Sequence, residues 1–256
     1  MNEPASPSRE HVRSLERGLA VIRAFDAEHP SQSLSDVARR TGLTRAAARR
    51  FLLTLAELGY VRTDGKLFAL TPRVLELGFA YLSSLSLSEI AAPHLEALVR
   101  EVRESASVSV LDGAEVVYVA RVPTSRIMTV AITIGTRLPA FATSMGRVLL
   151  AALPADERER RLAALPTHPL TERTITDPAD LARELGAVRE AGYCVVDQEL
   201  ELGLRSISVP VRDRSGEVVA AANVSTRAGS RDVVREVLPA LRACADAISA
   251  DLAAGT

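Results

Sequence analysis

The stretch "TRAAARRFLLTL", residues 44–55, packs three arginines among small alanines and then becomes apolar. A helix over this stretch gathers its apolar side chains on one stripe, which we expect to face a core and to comprise Leu43, Ala48, Phe51, Leu55 and Leu58. The opposite face then carries Arg45, Ala46, Arg49 and Arg50. No acidic residue or glutamine offsets the arginines, so this face predicts either a solvated surface or a contact with a polyanion.

The preceding stretch "SLSDVARRTGL", residues 33–43, predicts a second helix that is joined to the first by a tight turn. We expect Ser35 to cap this helix, Gly42 to supply the turn and Thr44 to cap the next helix. This is the layout of a helix-turn-helix, whose second helix offers its first turns to the major groove. There, arginine bonds guanine edges or phosphates, and alanine permits close approach. The predicted DNA contacts are Arg39, Arg40, Thr44, Arg45, Ala46, Arg49 and Arg50.

The segment "YVRTDGKLFAL", residues 60–70, predicts a hairpin directly after the recognition helix. Its two short strands are joined at Asp64-Gly65, a dipeptide that suits a two-residue turn. Arg62 and Lys66 flank this turn, and Lys66 is the only lysine in the chain. The basic flanks favour a wing that contacts the DNA backbone, while a plain structural hairpin remains the alternative.

Two further apolar stripes near the N-terminus predict a homodimer. The stretch "SLERGLAVIRAF", residues 14–25, predicts a helix that ends before Pro30, with an apolar stripe of Leu15, Leu19, Ile22 and Phe25. A helix after Pro72 adds Leu75, Phe79 and Leu82. Part of each stripe covers its own core, and the remainder can pair across a two-fold axis. Such symmetry predicts a palindromic operator in double-stranded DNA.

From residue 87 onward, antiparallel hairpins flanked by helices predict an α+β domain of a sensor-like kind. Hairpins turn at Asp112-Gly113 and between Asp213 and Gly216, and "MTVAITIG", residues 128–135, predicts another strand. Helices are predicted at "TSMGRVLLAAL" (143–153) and "DLARELGAVREAG" (180–192), the latter leading into the strand "YCVV" (193–196). The stretch "RDVVREVLPALRACADAISADL", residues 231–252, predicts one long closing helix.

Composition excludes several classes of protein. Hydrophobic residues make up 47% of the 256 positions, enough for a buried core, yet no apolar run is long enough to cross a membrane. The N-terminus lacks the apolar region of a signal peptide, so we expect a cytoplasmic protein. Two cysteines and four scattered histidines form no ligand cluster or nucleophile pair, and no phosphate-binding glycine motif occurs. We expect no catalytic residue, metal site or cofactor, and an enzyme is the weaker alternative.

Several motifs together resemble the IclR family of bacterial transcription regulators over nearly the whole chain. They are the first helix, the winged helix-turn-helix, "LPAFATSMGRVLLAAL" (138–153) and "DQELELGLRSISVPV" (197–211). The pair "TRAAARRFLLTLAELGYV" and "IGTRLPAFATSMGRVLLA" resembles the subgroup that regulates aromatic-acid catabolism through the β-ketoadipate pathway. The resemblance implies a tail (1–13), a winged helix-turn-helix domain (14–73), a linker helix (74–86) and a GAF-like effector-binding domain (87–256), assembled as a homodimer or a dimer of dimers.

The resemblance also implies where a small organic acid binds. The family's pocket positions fall on Ser144, Met145, Gly146, Asp197, Ser206, Asn223 and Ser225, and some members carry cysteine at the position of Ser206. The residues themselves are compatible, because Ser144 and Gly146 lie at a predicted helix N-terminus, which favours an anion. Met145 and Leu204 would form an apolar wall, and Arg126, Arg137 and Arg147 are candidate charge partners. The alternatives are that Ser144 only caps its helix and that the C-terminal domain only mediates oligomerisation.

Overall fold

The computed structural model describes residues 12–77, 87–124, 132–164 and 168–254. The chain divides into two compact units, with the division between Ser84 and Leu85. Most of the predicted tail and of the predicted linker helix lies outside the described residues. Within them, no helix is long and apolar enough to cross a membrane.

The described residues of the N-terminal unit form three helices and a small antiparallel sheet, which together make a winged helix-turn-helix. The helices are α1 (Arg13–Arg23), α2 (Leu34–Thr41) and α3 (Arg45–Glu57). The strands, in the spatial order β1-β3-β2, are β1 (Ser31–Ser33), β2 (Val61–Thr63) and β3 (Leu67–Leu70), and a 3-10 turn follows at Pro72–Leu75. The core of this unit consists mainly of Val21, Phe25, Val37, Leu52, Leu55, Val61 and Phe68.

The predicted apolar stripe of α3 is partly wrong, while that of α1 is partly buried and partly exposed, as expected. In α3, Leu52 is fully buried while Leu58, which follows the helix, is 51% exposed. In α1, Val21 is fully buried, whereas Leu15 and Leu19 are 64% and 48% exposed. Val21 and Leu52, which the predicted stripes omitted, are therefore core residues, and the strand β1 after α1 was not predicted.

The N-cap of α2 also lies two residues earlier than predicted. Ser33, not Ser35, is the N-cap, because its hydroxyl accepts the Asp36 N–H at 3.3 Å and donates to the Asp36 carboxylate at 2.6 Å. This reciprocal pair satisfies the first turn of the helix. The predictions for Gly42 and Thr44 are confirmed, since Gly42 ends α2 in the left-handed conformation and Thr44 caps α3.

Both two-residue hairpin turns lie one residue later than predicted. Thr63 pairs with Phe68, so Gly65 and Lys66 are central, and the Asp64 carboxylate accepts the N–H groups of Lys66 and Leu67. An aspartate that bonds the backbone ahead of it belongs beside the turn, and glycine takes the first central position with a φ of +93°. The next hairpin behaves alike, with its centre at residues 113–114.

The C-terminal unit is an α+β domain with antiparallel hairpins, as predicted, and its described residues form one sheet of six strands. In the spatial order β6-β5-β4-β9-β8-β7, the strands are β4 (Ser105–Asp112), β5 (Glu115–Val122), β6 (Arg137–Pro139), β7 (Cys194–Asp197), β8 (Leu204–Arg212) and β9 (Val218–Arg227). The helices are α4 (Leu87–Val102), α5 (Ser144–Ala152), α6 (Ala155–Ala164), α7 (Pro178–Ala191), α8 (Val233–Glu236) and α9 (Leu238–Ala254), with a 3-10 turn at Ala140–Ala142.

The two faces of this sheet differ in chemistry. One face packs against α4 and α9 through apolar side chains such as Val108, Ile207 and Val224. The other face lies under α5 and α7 and carries buried polar side chains beside apolar ones, among them Ser107 and Asn223. Because buried polar groups cost free energy unless they are paired, the second face is where a binding site is expected.

The prediction of one long closing helix is wrong. Two helices, α8 and α9, meet at Val237, whose φ of −114° departs from the usual helical value, and Pro239 at the start of α9 has no N–H with which to continue the hydrogen-bond ladder. The predicted strand "MTVAITIG" lies outside the described residues up to residue 131. Its described remainder forms a turn at Gly135, and the strand β6 begins only at Arg137.

Candidate functional site

The first candidate surface is the exposed face of α3. Thr44 caps the helix by accepting the Ala47 N–H at 3.2 Å, and Ala48 and Leu52 fix the buried side. The predicted contact residues Arg45, Ala46, Arg49 and Arg50 are all exposed. Within the described residues none of these arginines forms an ion pair, and the first turn of α3 has no acidic residue. The guanidinium groups and the positive helix end therefore present uncompensated charge to solvent.

Two other predicted contacts are already engaged inside the unit. Arg39 pairs with Asp36 at 2.8 Å, within the same helix. Arg40 pairs with Asp26 at 2.5 Å, which ties the end of α2 to the loop after α1. These arginines carry less free charge than those of α3, because neighbouring carboxylates neutralise them.

The hairpin between β2 and β3 carries the remaining predicted contacts at its tip. Arg62 and Lys66 are both exposed there. Hydrogen bonds from the backbone N–H groups of Leu67 and Lys66 lower the pKa of the Asp64 carboxyl, so this side chain holds the tip as a carboxylate. The Asp64 carboxylate thus fixes the conformation of the turn, with Lys66 in the turn and Arg62 on the adjoining strand β2.

The second candidate site is a small cavity between the N-terminus of α5 and the polar face of the larger sheet, with room for about one water molecule. Four distant parts of the C-terminal unit converge on it. The lining residues are Tyr118, Ala142, Thr143, Ser144, Met145, Val196, Leu200, Leu204, Ser206, Asn223 and Ser225.

Hydroxyl and amide groups form the polar wall of this cavity. The Ser144 hydroxyl donates to Ser206 Oγ at 2.9 Å and lies 2.7 Å from Ser208 Oγ, which joins α5 to β8. The Asn223 amide donates to Ser225 Oγ at 3.1 Å, from a residue that is 2% exposed. Its Oδ1 has no hydrogen-bond partner among the described residues. A buried amide that is half satisfied is an open position for a ligand atom.

Gly146 and Asp197, which were predicted for this site, do not line the cavity. The Gly146 N–H donates to Thr143 Oγ1 at 3.1 Å, so Thr143 and not Ser144 is the helix cap. A Cβ at Gly146 would lie 2.1 Å from the Ala140 carbonyl oxygen, and glycine is therefore needed for the close approach of α5 to the preceding turn. The Asp197 carboxylate accepts from Arg205 at 2.9 Å, a contact that lowers its pKa.

The candidate charge partners give no free cation at the cavity. Arg137 lies between Glu115 at 2.6 Å and Asp112 at 2.7 Å. Arg147 is 1% exposed and held by Glu199 through two bonds of 2.8 and 2.5 Å. Arg126 lies outside the described residues.

Tyr118 is the most informative residue that the sequence analysis missed. It is 4% exposed, and burial raises its pKa to about 12. No hydrogen bond of its hydroxyl occurs in the described part of the chain. The only sequence signal was a tyrosine in the apolar strand "EVVYVARV", where alternation alone suggests a core residue. Thr143, Val196 and Leu200 were also missed, although each adjoins or nearly adjoins a predicted position.

The cysteines and histidines of this unit have structural surroundings. Cys194 is 1% exposed, and burial raises the pKa of its thiol to about 12, which suits a core residue rather than a nucleophile. His94 Nε2 lies 2.7 Å from the Asp251 carboxylate on a neighbouring helix. Phe141 and His168 stack edge to face, with ring centroids 6.0 Å apart.

Comparisons with known proteins identify both units. Residues 14–65 match the IclR helix-turn-helix domain, and residues 79–250 match the model of the bacterial transcriptional regulator IclR C-terminal domain. The chain is 46% identical to the Pca regulon regulatory protein of Pseudomonas putida (85% of this chain, 75% of that protein) and 39% identical to the p-hydroxybenzoate hydroxylase transcriptional activator of Acinetobacter baylyi (92% and 90%). An IclR homolog from Microbacterium hydrocarbonoxydans, crystallised with 4-hydroxybenzoate, superposes with a TM-score of 0.84 at 29% identity (93% and 98%). The chain therefore belongs to the IclR family of bacterial transcriptional regulators.

Proposed function

We propose that this regulator binds a small carboxylate from aromatic catabolism in its C-terminal unit and a palindromic operator with its N-terminal unit. The effector class comprises β-ketoadipate and aromatic acids such as protocatechuate and 4-hydroxybenzoate. Residues 14–73 form the DNA-binding domain, 74–86 the linker and 87–256 the effector-binding domain. The single observation that carries the proposal is the cavity beside α5, where Asn223 Oδ1 is buried without a partner.

The lining of the cavity suits an acid with a compact apolar body, for which the walls would have to move apart, since the space between the described residues holds about one water molecule. Met145, Leu200 and Leu204 supply apolar walls, while Ser206, Asn223 and Ser225 supply hydrogen-bonding groups. The backbone N–H groups at the start of α5 and the dipole of this helix favour one carboxylate there. Two relatives support the compound class, because one is named for p-hydroxybenzoate hydroxylase and another was crystallised with 4-hydroxybenzoate.

Titration calorimetry tests the effector site. The full chain is titrated with β-ketoadipate, protocatechuate, 4-hydroxybenzoate and adipate, and the titrations are repeated with Asn223→Ala and Ser206→Ala. We expect one or more acids to bind, and both variants to weaken binding by about threefold to tenfold for each lost hydrogen bond to the ligand. Absence of binding by every acid contradicts the effector proposal, and unchanged binding in both variants means that the site is elsewhere.

The basic face of α3 is the proposed surface for base contacts. Arg45, Arg49 and Arg50 are exposed and unpaired in the described part of the chain, so their charge is available to guanine edges and phosphates. Arg62 and Lys66 would contact phosphates from the wing. An operator fragment is selected from random duplexes, and binding is followed by fluorescence anisotropy at several salt concentrations.

The outcome depends on which arginines are removed. Alanine at a base-contacting arginine of α3 should cost about 1–3 kcal/mol of binding free energy and relax sequence preference. Alanine at Arg62 and Lys66 should weaken all duplexes similarly and flatten the salt dependence. Arg235→Ala, at an exposed arginine of the C-terminal unit, is the control. A triple α3 variant that binds its operator like the wild type would refute this assignment.

A homodimer is proposed from the apolar side chains that the N-terminal unit leaves uncovered. Leu15 and Leu19 lie four residues apart on α1 and are 64% and 48% exposed. An exposed apolar pair on a helix is a suitable seam for a second copy of the chain. Analytical ultracentrifugation should give a dimer or a dimer of dimers, and Leu15→Glu with Leu19→Glu should dissociate it. A monomer in the wild type, with and without operator DNA, excludes this part of the proposal.

The alternative is a C-terminal unit that serves only for oligomerisation. The position of the Asn223 Oδ1 argues against it, because this unpartnered acceptor lies in the wall of a cavity where a ligand hydroxyl can reach it. Thermal unfolding separates the two, since a bound acid raises the midpoint temperature while an oligomerisation module does not respond.

A further inference from the structure

Arg121 on β5 is a half-buried cation without a carboxylate partner. Its guanidinium donates only to Ser107 Oγ, at 3.2 Å, and it forms no ion pair among the described residues. Burial lowers the pKa of Arg121 from its ordinary value, which is the signature of a charge that is taken from water without full compensation. The other arginines considered for the cavity have close carboxylate partners: Arg137 pairs with Asp112 and Glu115, and Arg147 pairs with Glu199.

The strand register places this cation beside the cavity. Arg121 pairs with Ser107 of β4, and Ser107 pairs with Asn223 of β9. Paired residues share one face of a sheet, with their Cβ atoms about 5 Å apart. The guanidinium that rests on Ser107 is therefore next to the Asn223 side chain, whose Oδ1 is buried and unpartnered. Tyr118, which lines the cavity, interacts electrostatically with Arg121 from the same strand.

The same register separates Arg121 from the N-terminus of α5. Ser208, which Ser144 of α5 contacts, pairs with Asn223 from the opposite side. Ser208 and Ser107 thus flank Asn223, two strand spacings or about 10 Å apart. The cavity has hydrogen-bonding groups of α5 at one end and an unpaired guanidinium towards the other.

We propose that Arg121 is an effector-binding residue, whose guanidinium holds a carboxylate of the effector at the β4–β5 end of the cavity while the Tyr118 hydroxyl orients the same end. The proposal rests on the proposed effector function and adds to it the residue that binds the negative charge of the effector. Planar guanidinium groups bond carboxylates through two parallel N–H donors, and here a carboxylate would also neutralise a cation that the fold leaves unpaired. A dicarboxylate would be held both at Arg121 and at the start of α5. An aromatic monocarboxylate would be held at Arg121 in preference to the start of α5, because the guanidinium carries a full charge, and it would place its ring hydroxyl towards Ser144.

Calorimetry with matched probes tests this assignment. The probes are 4-hydroxybenzoate, its neutral analogue 4-hydroxybenzamide, protocatechuate and adipate, and the variants are Arg121→Gln, Arg121→Lys and, as the control, Arg137→Gln. We expect Arg121→Gln to weaken the carboxylates that the wild type binds by tenfold or more, as for loss of a charged hydrogen-bond partner. The amide should bind both proteins with similar affinity, Arg121→Lys should retain part of the affinity, and Arg137→Gln should retain all of it.

A structural role would give a different result. Since Arg121 has no ionic partner to lose, Arg121→Gln should leave the midpoint temperature of the ligand-free protein unchanged or raise it. A lower midpoint, or carboxylate affinity within about twofold of wild type, overturns the assignment of Arg121 and leaves the effector function standing. A wild-type protein that binds none of the three carboxylates refutes the effector function, and the role of Arg121 falls with it.

Discussion

Replacing Glu199 with alanine would leave the Arg147 guanidinium buried without its carboxylate. Arg147 is 1% exposed and is held by Glu199 through two bonds and by the Phe141 carbonyl through a third, at 2.8 Å. Glu199 also accepts the backbone N–H of Ile175 at 2.9 Å, so the variant would orphan that donor as well. Glu184, at 3.7 Å from the guanidinium, is the only other carboxylate near it in the described residues.

The expected loss follows from these contacts. Removing one partner of a buried ion pair costs about 3–5 kcal/mol, because the remaining charge stays out of water. For a domain of this size each kcal/mol lowers the midpoint temperature by about 2–4 °C, which gives a fall of about 6–20 °C. The double variant Arg147→Met with Glu199→Leu should lose less than Glu199→Ala alone, since it leaves neutral orphans in place of a buried charge.

Urea unfolding of the full chain, followed by circular dichroism, measures these losses. Glu96→Ala is the matched control, because Glu96 faces Arg100 at 3.9 Å in an exposed pair of α4 and should change the free energy of unfolding by less than about 0.5 kcal/mol. The reasoning is refuted if Glu199→Ala costs less than about 1 kcal/mol, or if the double variant is less stable than the single one.

Three further results are expected. Gly146→Ala should lower the free energy of unfolding by more than about 2 kcal/mol, because its Cβ meets backbone, while Gly186→Ala, with open space at its Cβ, should be neutral or stabilising in the same urea series. Thr44→Ala should cost about 1 kcal/mol through loss of the α3 cap, seen as a lower midpoint in thermal unfolding, and an unchanged midpoint would contradict the cap. Arg205 lowers the folded pKa of Asp197, so the stability from this pair is present above the ordinary value of 3.8 and is lost as the pH falls through the depressed pKa; Asp197→Asn should remove that part of the acid dependence, and parallel curves for the two proteins would disprove it.

Much of the N-terminal unit could be predicted from its sequence because its helix ends are fixed by interactions between residues close together in the chain. A glycine at the end of α2 and a threonine before α3 act within one turn of chain, so their roles were confirmed. Errors arose where two local solutions compete, as between Ser33 and Ser35 at the start of α2. The cap is Ser33, because Asp36 lies three residues later and its carboxylate accepts a hydrogen bond from the Ser33 hydroxyl. The strand β1 escaped prediction because it has only three residues and no alternating apolar pattern.

Part of the cavity lining could be predicted, either from a family motif or from the alternation of side chains along a strand. Asn223 and Ser225 lie on one face of β9 as expected, and the family motif placed Ser144 and Ser206 beside them. Tyr118 and Arg121 depend on the pairing of β4 with β5, which shifts register between Val108 and Ser109. An irregularity of this kind reverses the face of every residue beyond it and leaves no trace in the sequence.

The wing tip carries a single reactive amine that can be modified selectively. Lys66 is the only lysine in the chain, and it is exposed at the centre of the turn between β2 and β3. Amine-directed acylation therefore has one side-chain target, with the terminal amino group distinguishable by its lower pKa. A single fluorophore can be attached at the tip without introducing cysteine, and its emission would report the arrival of a duplex at the wing. Acetylation of this one side chain would remove the cation of the wing while leaving the arginines of α3 charged.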